Sequence, residues 1–260
     1  MNPYRLARRA AGRILRGIPW TRRWLMLSAD YTVVSMEEAR RRQQNGWHRP
    51  LVAARQDAAY RGLLEAMHAG DPRIDLKVAA EAVDAVSLPA PSLLEVGCGS
   101  GYYCEVLATL AKSQIRYSGL DYSAAMVVRA RARYPQGRFE VGDATALAPS
   151  DGAFDIVFNG VSLMHILDYQ KAIAESARVA RHAAIFHSVP VFPRYRTTQF
   201  HKYAYGGPMV ESVFNRAELL DLFAAAGLTV TQTWRTIDYD VSHVVGAPSH
   251  AETFLCRRAP

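Results

Sequence analysis

The stretch Leu93–Tyr103, LLEVGCGSGYY, decides the fold. An apolar run interrupted by Glu95 enters three glycines at alternate positions, Gly97, Gly99 and Gly101, and a helical pattern starts behind them. Glycine loses more backbone freedom on folding than any other residue, so three within five positions need a cause. A strand-to-helix turn that lets the chain approach a ligand supplies one, because doubly wound sheets bind nucleotides at such turns. The turn is not a dinucleotide loop, since Tyr102 and Tyr103 stand where GxGxxG wants small residues. Nor is it a Walker loop, for no phosphate-binding lysine follows.

Two acids continue the pattern. Asp121 ends a strand in GLDYS, 24 residues beyond Gly97, where a carboxylate accepts the hydroxyls of a ribose. Asp143 ends the next in VGDATAL; a carboxylate at this position can accept from an adenine amine while the Ala144 amide can meet a ring nitrogen. One such acid alone is more often a turn former; three in register at successive strand ends are not explained by turn chemistry.

Around this centre the sequence alternates. SLLEV, IRYSGLD, RFEVGD, FDIVFNG and AAIFHSV (ending at Pro190) read as strands. The helices YCEVLATLAK, SAAMVVRARARY and YQKAIAESARVAR fall among them. RAELLDLFAAAG, stopped by Gly227, then precedes the strands LTVTQTW and AETFLCRR, an antiparallel edge pair. Strands separated by helices predict βαβ units and a mostly parallel sheet. Upstream, residues 31–90 read as helices, the first capped by Ser35, the others opened near Pro50 and Pro72. Residues 190–215 read as a connection too long to be ordinary, of the kind that builds a site.

The motifs LLEVGCGSGYY, GLDYS, VGDATAL and FDIVFNG resemble the successive motifs of the class I S-adenosylmethionine-dependent methyltransferases. The likeness is close over residues 92 to 190. It implies a Rossmann-like α/β fold, a doubly wound, mostly parallel seven-stranded sheet, with S-adenosyl-L-methionine as cofactor. Glu95 and the Gly97–Gly101 loop would hold its methionine part, Asp121 the ribose, and Asp143 with Ala144 the adenine. Asn159 or Gly160 would offer backbone to the amine, and Cys98, Tyr102, Tyr122 and Met126 complete the cofactor-facing set. The glycines would let the loop pass beneath the sulfonium, where a Cβ would collide with the ligand. Three parts follow: a basic arm (1–30), a helical lid (31–90) and a cofactor-binding catalytic domain (91–260) with its substrate loop at 190–215.

A hydroxyl acceptor needs a base. His187 at the end of the fifth strand, His165 after the fourth and His201 in the long connection are the candidates, with a packing role favoured for His165. Tyr31, Trp47, Arg55, Gln56 and Tyr60 of the lid, with Lys202 and Tyr205, mark the acceptor side, though helix packing explains each lid residue singly. Only Asp168 lies near these histidines in sequence, so no metal is expected.

The net charge of +7 is uneven. Residues 1–23 carry seven arginines and no acid, and the remaining 24 basic and 24 acidic residues balance. With Trp20 and Trp24 beside the arginines, the arm reads as an amphipathic segment for an anionic membrane surface or as a tail docked on the domain. The neutral body offers no continuous footprint for nucleic acid. No apolar run reaches the ~20 residues of a membrane span. The three cysteines show no framework spacing, which points to a reducing compartment: cytoplasmic, with a peripheral position at the inner face of the membrane as the arm's variant. The expected activity is methyl transfer to a small-molecule or glycan acceptor at oxygen, a membrane-associated saccharide being the sharper form. The alternatives are an RNA or protein methyltransferase that uses the arm as a clamp, and a non-catalytic cofactor-binding homologue.

Overall fold

The computed structural model describes residues 28–43 and 46–258. The centre follows the alternation of the sequence. Strand β2 (Ser92–Val96) enters the glycine turn, helix α4 (Tyr102–Leu110) leaves it, and β3 (Arg116–Asp121), α5 (Ala124–Arg133) and β4 (Arg138–Val141) follow. The second half runs β5 (Phe154–Gly160), α6 (Tyr169–Val179), β6 (Ala180–Phe192), α7 (Arg216–Ala225), β9 (Leu228–Arg235) and β10 (His250–Arg258). β2 pairs in parallel with β3 and β5, and β5 with β6, while β10 lies antiparallel between β6 and β9. These seven strands are the expected sheet.

Side chains alternate across it, as the two-residue period of a strand requires. Leu93, Ile156 and Phe158 join α2 (Pro50–His68), α3 (Ile74–Asp84) and α4 in one buried cluster. Leu94, Val96 and Val157 join α6 and α7 in the other. Both faces are covered, so these strands are apolar nearly throughout.

Three further strands make ten among the described residues. β1 (Ser28–Val34) pairs antiparallel with β7 (Thr198–Ala204), and β7 with β8 (Gly207–Asn215). β8 then joins β6 in parallel at Val191 and Phe192. Two expectations are corrected here. The segment 190–215 is mostly a strand end and a hairpin, and residues 28–34 are a strand, not part of an arm or of a helical lid. The helices α1 (Met36–Arg42), α2 and α3 do follow, and Ser35 caps α1 by accepting the Glu38 N–H at 3.1 Å. The hairpin closes through Tyr205 and Gly206 at φ +51° and +78°, the left-handed pair that fits a two-residue turn to strand twist. β6 also continues past Pro190, the expected stop. Proline is tolerated there because the ladder is interrupted: β5 ends opposite His187 and β8 begins opposite Val191.

Candidate active site

A cavity of about 1010 Å³ opens at the carboxyl ends of β2, β3 and β5 and beside β6, roofed by residues of β1, α2 and the β7–β8 hairpin. The glycine turn forms its floor. The Gly97 and Cys98 amides both donate to the Leu120 carbonyl (2.7 and 3.0 Å), which ties the turn to β3. Gly97 and Gly101 have φ of +76° and +81°. A Cβ on Gly97 would drive into the Ser162 side chain, and one on Gly101 would lie 2.8 Å from the Phe139 ring. This corrects the expected reason for the glycines: at these two positions a side chain would strike the protein, not a ligand.

Asp121 stands at the end of β3, 6% exposed. Its Oδ2 accepts the Gly99 N–H and its Oδ1 the Ser123 N–H, both at 2.8 Å. Burial pushes its carboxyl up and the two amides pull it back. Each oxygen keeps acceptor capacity beyond its amide bond. Asp143 sits two residues past β4, where its Oδ1 accepts from the Thr145 amide and hydroxyl at 2.8 Å. With Ala144, Tyr122 and Met126 it lines the same wall.

Three expected cofactor residues do not line the cavity: Gly101, Glu95 and Asn159. Gly101 is the N-cap of α4. Glu95 lies beneath Gly160, where a Cβ would strike its Oε1. Tyr117 donates to Oε2, whereas Oε1 is buried without a partner, and desolvation holds the carboxyl well above its ordinary range. Asn159 is buried, bonded through Nδ2 to Ser176 Oγ at 3.2 Å, with Oδ1 unpartnered.

The acceptor-side candidates separate likewise. Tyr31, Trp47, Gln56, Tyr60, Lys202 and Tyr205 line the cavity; Arg55 does not, and packs against the hairpin turn at Gly206. Tyr60 stacks on Tyr102 with ring centroids 3.9 Å apart, and Gln56 accepts the Ser100 hydroxyl at 3.3 Å. Of the three candidate histidines only His165 reaches the cavity, edge-on to Trp47. Its Nδ1 meets the Val210 carbonyl at 3.2 Å, which requires the proton on Nδ1 and leaves Nε2 an acceptor. Burial first, then the Lys202 charge, lower its pKa to about 3.

His187 lies wholly buried behind the wall, stacked on Phe158 and bonded through Nδ1 to Thr253 Oγ1 at 2.8 Å. Burial lowers its pKa to about 4. His201 alternates with Lys202 along β7 and so faces away from the cavity, edge-on to Tyr203.

Sequence reasoning missed several lining residues. Ser162 follows β5 and donates to the Val96 carbonyl at 2.7 Å. Arg73 is held bidentate on buried Asp75 at 2.6 and 2.5 Å. Tyr239 follows β9 and donates to Glu211, an acid of β8 that is fully buried. A signal for Glu211 was present, an acid within the largely apolar run PMVESVF.

Residues 94–187 match the family model of a methyltransferase domain. A probable S-adenosylmethionine-dependent methyltransferase of Mycolicibacterium smegmatis is 34% identical over 145 residues, covering 54% of this chain and 53% of that one. The trans-aconitate 2-methyltransferase of Variovorax paradoxus is 36% identical over 96 residues, 36% of this chain and 37% of the relative. The chain therefore spans about half or less of the curated relatives it matches. Among solved structures, the 1,6-didemethyltoxoflavin-N1-methyltransferase of Burkholderia thailandensis, bound to its substrate and S-adenosylhomocysteine, shares the fold with a TM-score of 0.54. It is 17% identical, and the alignment covers 90% of this chain and 94% of that one. With the glycine turn, the carboxylates at successive strand ends and the seven-stranded core, these matches identify residues 94–187 as a methyltransferase domain and support a class I S-adenosylmethionine-dependent methyltransferase.

Proposed function

We propose that this chain transfers a methyl group from S-adenosylmethionine to an oxygen of a small-molecule acceptor. The observation that carries the reading is one cavity with two unlike sides. One side is the glycine turn with Asp121, Asp143 and Ala144; the other is a set of aromatic and titratable side chains from β1, α2 and the hairpin. When bound, the cofactor supplies an electrophilic methyl group on a sulfonium.

The residues of the first side suit that cofactor. Asp121 has acceptor capacity for ribose hydroxyls on both oxygens, already oriented by two amides. The unpartnered Oε1 of Glu95, one layer beneath Gly160, makes the floor under that glycine attractive to an ammonium group. Such a buried carboxylate is stabilised when a cation approaches. The second side, with Trp47, Tyr60, Tyr102 and Tyr205, covers the acceptor and excludes water, which leaves alignment as the main task of the protein. The trans-aconitate and didemethyltoxoflavin enzymes are named for small-molecule acceptors, which supports the same class here.

Two measurements test the reading. Asp121→Ala removes charge-assisted acceptors worth roughly 1.5–3 kcal/mol each. S-adenosylhomocysteine affinity by calorimetry is then expected to fall at least about 100-fold; unchanged affinity sinks the site. Labelled methyl from the cofactor is expected in the small-molecule fraction of a cell extract, and label confined to RNA or protein would reject the acceptor class.

A second reading rests on the seven arginines of residues 1–23, which lie, like Trp20 and Trp24, outside the described residues. They favour a membrane-associated acceptor, including a lipid-linked saccharide, with the chain held peripherally at an anionic surface. No helix among the described residues is long and apolar enough to cross a membrane.

A further inference from the structure

Where β1, the β7–β8 hairpin and the segment after β9 meet at the cavity, four polar side chains close a ring. Lys202 of β7 forms an ion pair with Glu211 of β8, and they are only 7% and 0% exposed. Tyr239 donates to Glu211 Oε1. The Tyr31 and Tyr239 hydroxyls are 3.2 Å apart, and Lys202 Nζ donates to Tyr31 at 3.4 Å. Tyr31 also hydrogen-bonds to Glu211, so both tyrosines turn hydroxyls toward the same carboxylate. Lys202 Nζ also lies over the rings of Tyr31 and Tyr239, 5.3 and 5.9 Å from their centroids. Lys202, Tyr31 and Tyr239 line the cavity; Glu211 lies behind them.

Stability does not account for this ring. A buried ion pair is commonly no better than well-packed apolar residues of the same volume, because desolvation offsets the attraction. Around the pair the same strands supply such residues: Phe200, Met209 and Val213 are buried.

We propose that this ring is the proton-accepting end of the acceptor site, and that it selects a neutral acceptor whose hydroxyl sits on an unsaturated carbon, a phenol or enol. The inference rests on reading the cavity as a methyltransferase site and names its substrate class. The acceptor O–H donates to Tyr239 Oη. As its proton passes to Tyr239, the Tyr239 proton passes to Glu211, and the electron pair of the broken O–H bond stays on the acceptor oxygen beside Lys202. Before the step Lys202 is paired with the Glu211 carboxylate; after it, with the acceptor oxyanion. The ion pair changes its anion and no net charge appears in the buried site, which keeps the transfer inexpensive in a low dielectric.

The charges lining the cavity do not call for an anionic acceptor. Among the described lining residues Lys202 is matched by Glu211, Arg73 by Asp75 and Arg40 by Asp168. Proton affinity narrows the class. Burial raises the Glu211 carboxyl above its ordinary range, against the pull of Lys202 and Tyr31. A phenol, near ~10, asks far less of a carboxylate aided by Lys202 than a saturated alcohol, near the ~15.7 of water. His165, whose Nε2 also accepts, has a pKa of about 3 and is too weak a base.

The probe is 4-nitrocatechol, whose visible absorption reports ionisation, added to the full chain saturated with S-adenosylhomocysteine. The titratable groups that face the ring are Tyr205 and His165, with Asp238, Asp240 and His243 on the segment around Tyr239. At about one pH unit below the probe's solution pKa, the bound probe is expected to absorb as the phenolate. Glu211→Gln is expected to lower the ionised fraction about tenfold or more. Tyr239→Phe leaves the ion pair in place and is expected to do the same, so a fold damaged by an unpaired Lys202 cannot mimic the result. A probe bound as the neutral phenol, no binding, or ionisation unchanged in both variants overturns the proposal. If S-adenosylhomocysteine itself does not bind the unmodified chain, the methyltransferase reading fails instead.

Discussion

His165 and His187 both carry imidazoles that the fold keeps neutral, for the same reason and with different reach. Burial dominates in each, lowering the pKa from 6.5 to about 3 for His165 and about 4 for His187. The sign follows directly. Below pH 6.5 the unfolded chain protonates these side chains and the native chain does not, so the unfolded state binds more protons and stability falls with pH. Each histidine removes up to about 1.4 kcal/mol per pH unit, from about 6.5 down to its native pKa. The urea midpoint of the protein is expected to fall from pH 6.5 to pH 5, and His187→Asn to flatten that fall. A slope unchanged by the substitution would mean that His187 is protonated in the native state. The same residue shows what sequence could and could not say about the site. Asp121, Asp143 and Ala144 were legible because their roles depend on strand ends, which the apolar pattern marks. Which of two consecutive side chains at a strand end faces the cavity depends on strand parity: Ser188 lines it and His187 does not, and Lys202 lines it while His201 does not.

At the scale of elements, the parallel core was legible and the antiparallel extension was not. Five apolar strands punctuated by glycine and amphipathic helices leave little choice of arrangement. The hairpin of β7 and β8 hid because its inward positions include Lys202 and Glu211, so it lacks clean alternation of apolar and polar residues. Its turn chemistry was visible in YAYGGPM, and β1 could have been read from the β-branched run YTVV. The extension carries Tyr31, Lys202 and Tyr205 to the cavity, so its joint to the core governs the acceptor side. Asn215 is that joint. Its Oδ1 caps α7 by accepting the Ala217 and Glu218 amides at 2.9 and 3.1 Å, and its Nδ2 donates to the Tyr195 carbonyl at 2.9 Å. Asn215→Ala is expected to lose about 1–2 kcal/mol, which by calorimetry lowers Tm by roughly 2–8 °C. Asn215→Asp keeps the cap and is expected to recover most of the loss; equal losses would show that the bond to Tyr195, not the cap, holds the joint.

For the molecule as a whole, charge is divided between a basic beginning and a neutral remainder, and this division makes the membrane reading testable apart from catalysis. Near an anionic surface each arginine contributes about 1 kcal/mol, so seven arginines within residues 1–23 suffice for partitioning with little help from the tryptophans. The attraction is electrostatic and falls as the Debye length shrinks from ~10 Å at 0.1 M salt to ~3 Å at 1 M. Full-length protein is therefore expected to sediment with phosphatidylserine vesicles at low salt and to be released at about 1 M salt. β1 begins at Ser28, so deleting residues 1–24 spares every described element. The truncated chain is expected to stay in the supernatant while binding S-adenosylhomocysteine as tightly as before. Sedimentation that persists would move the membrane contact to the body, whose balanced charge predicts none. Loss of cofactor affinity would instead make the arm part of the fold, the docked alternative that its sequence also allows.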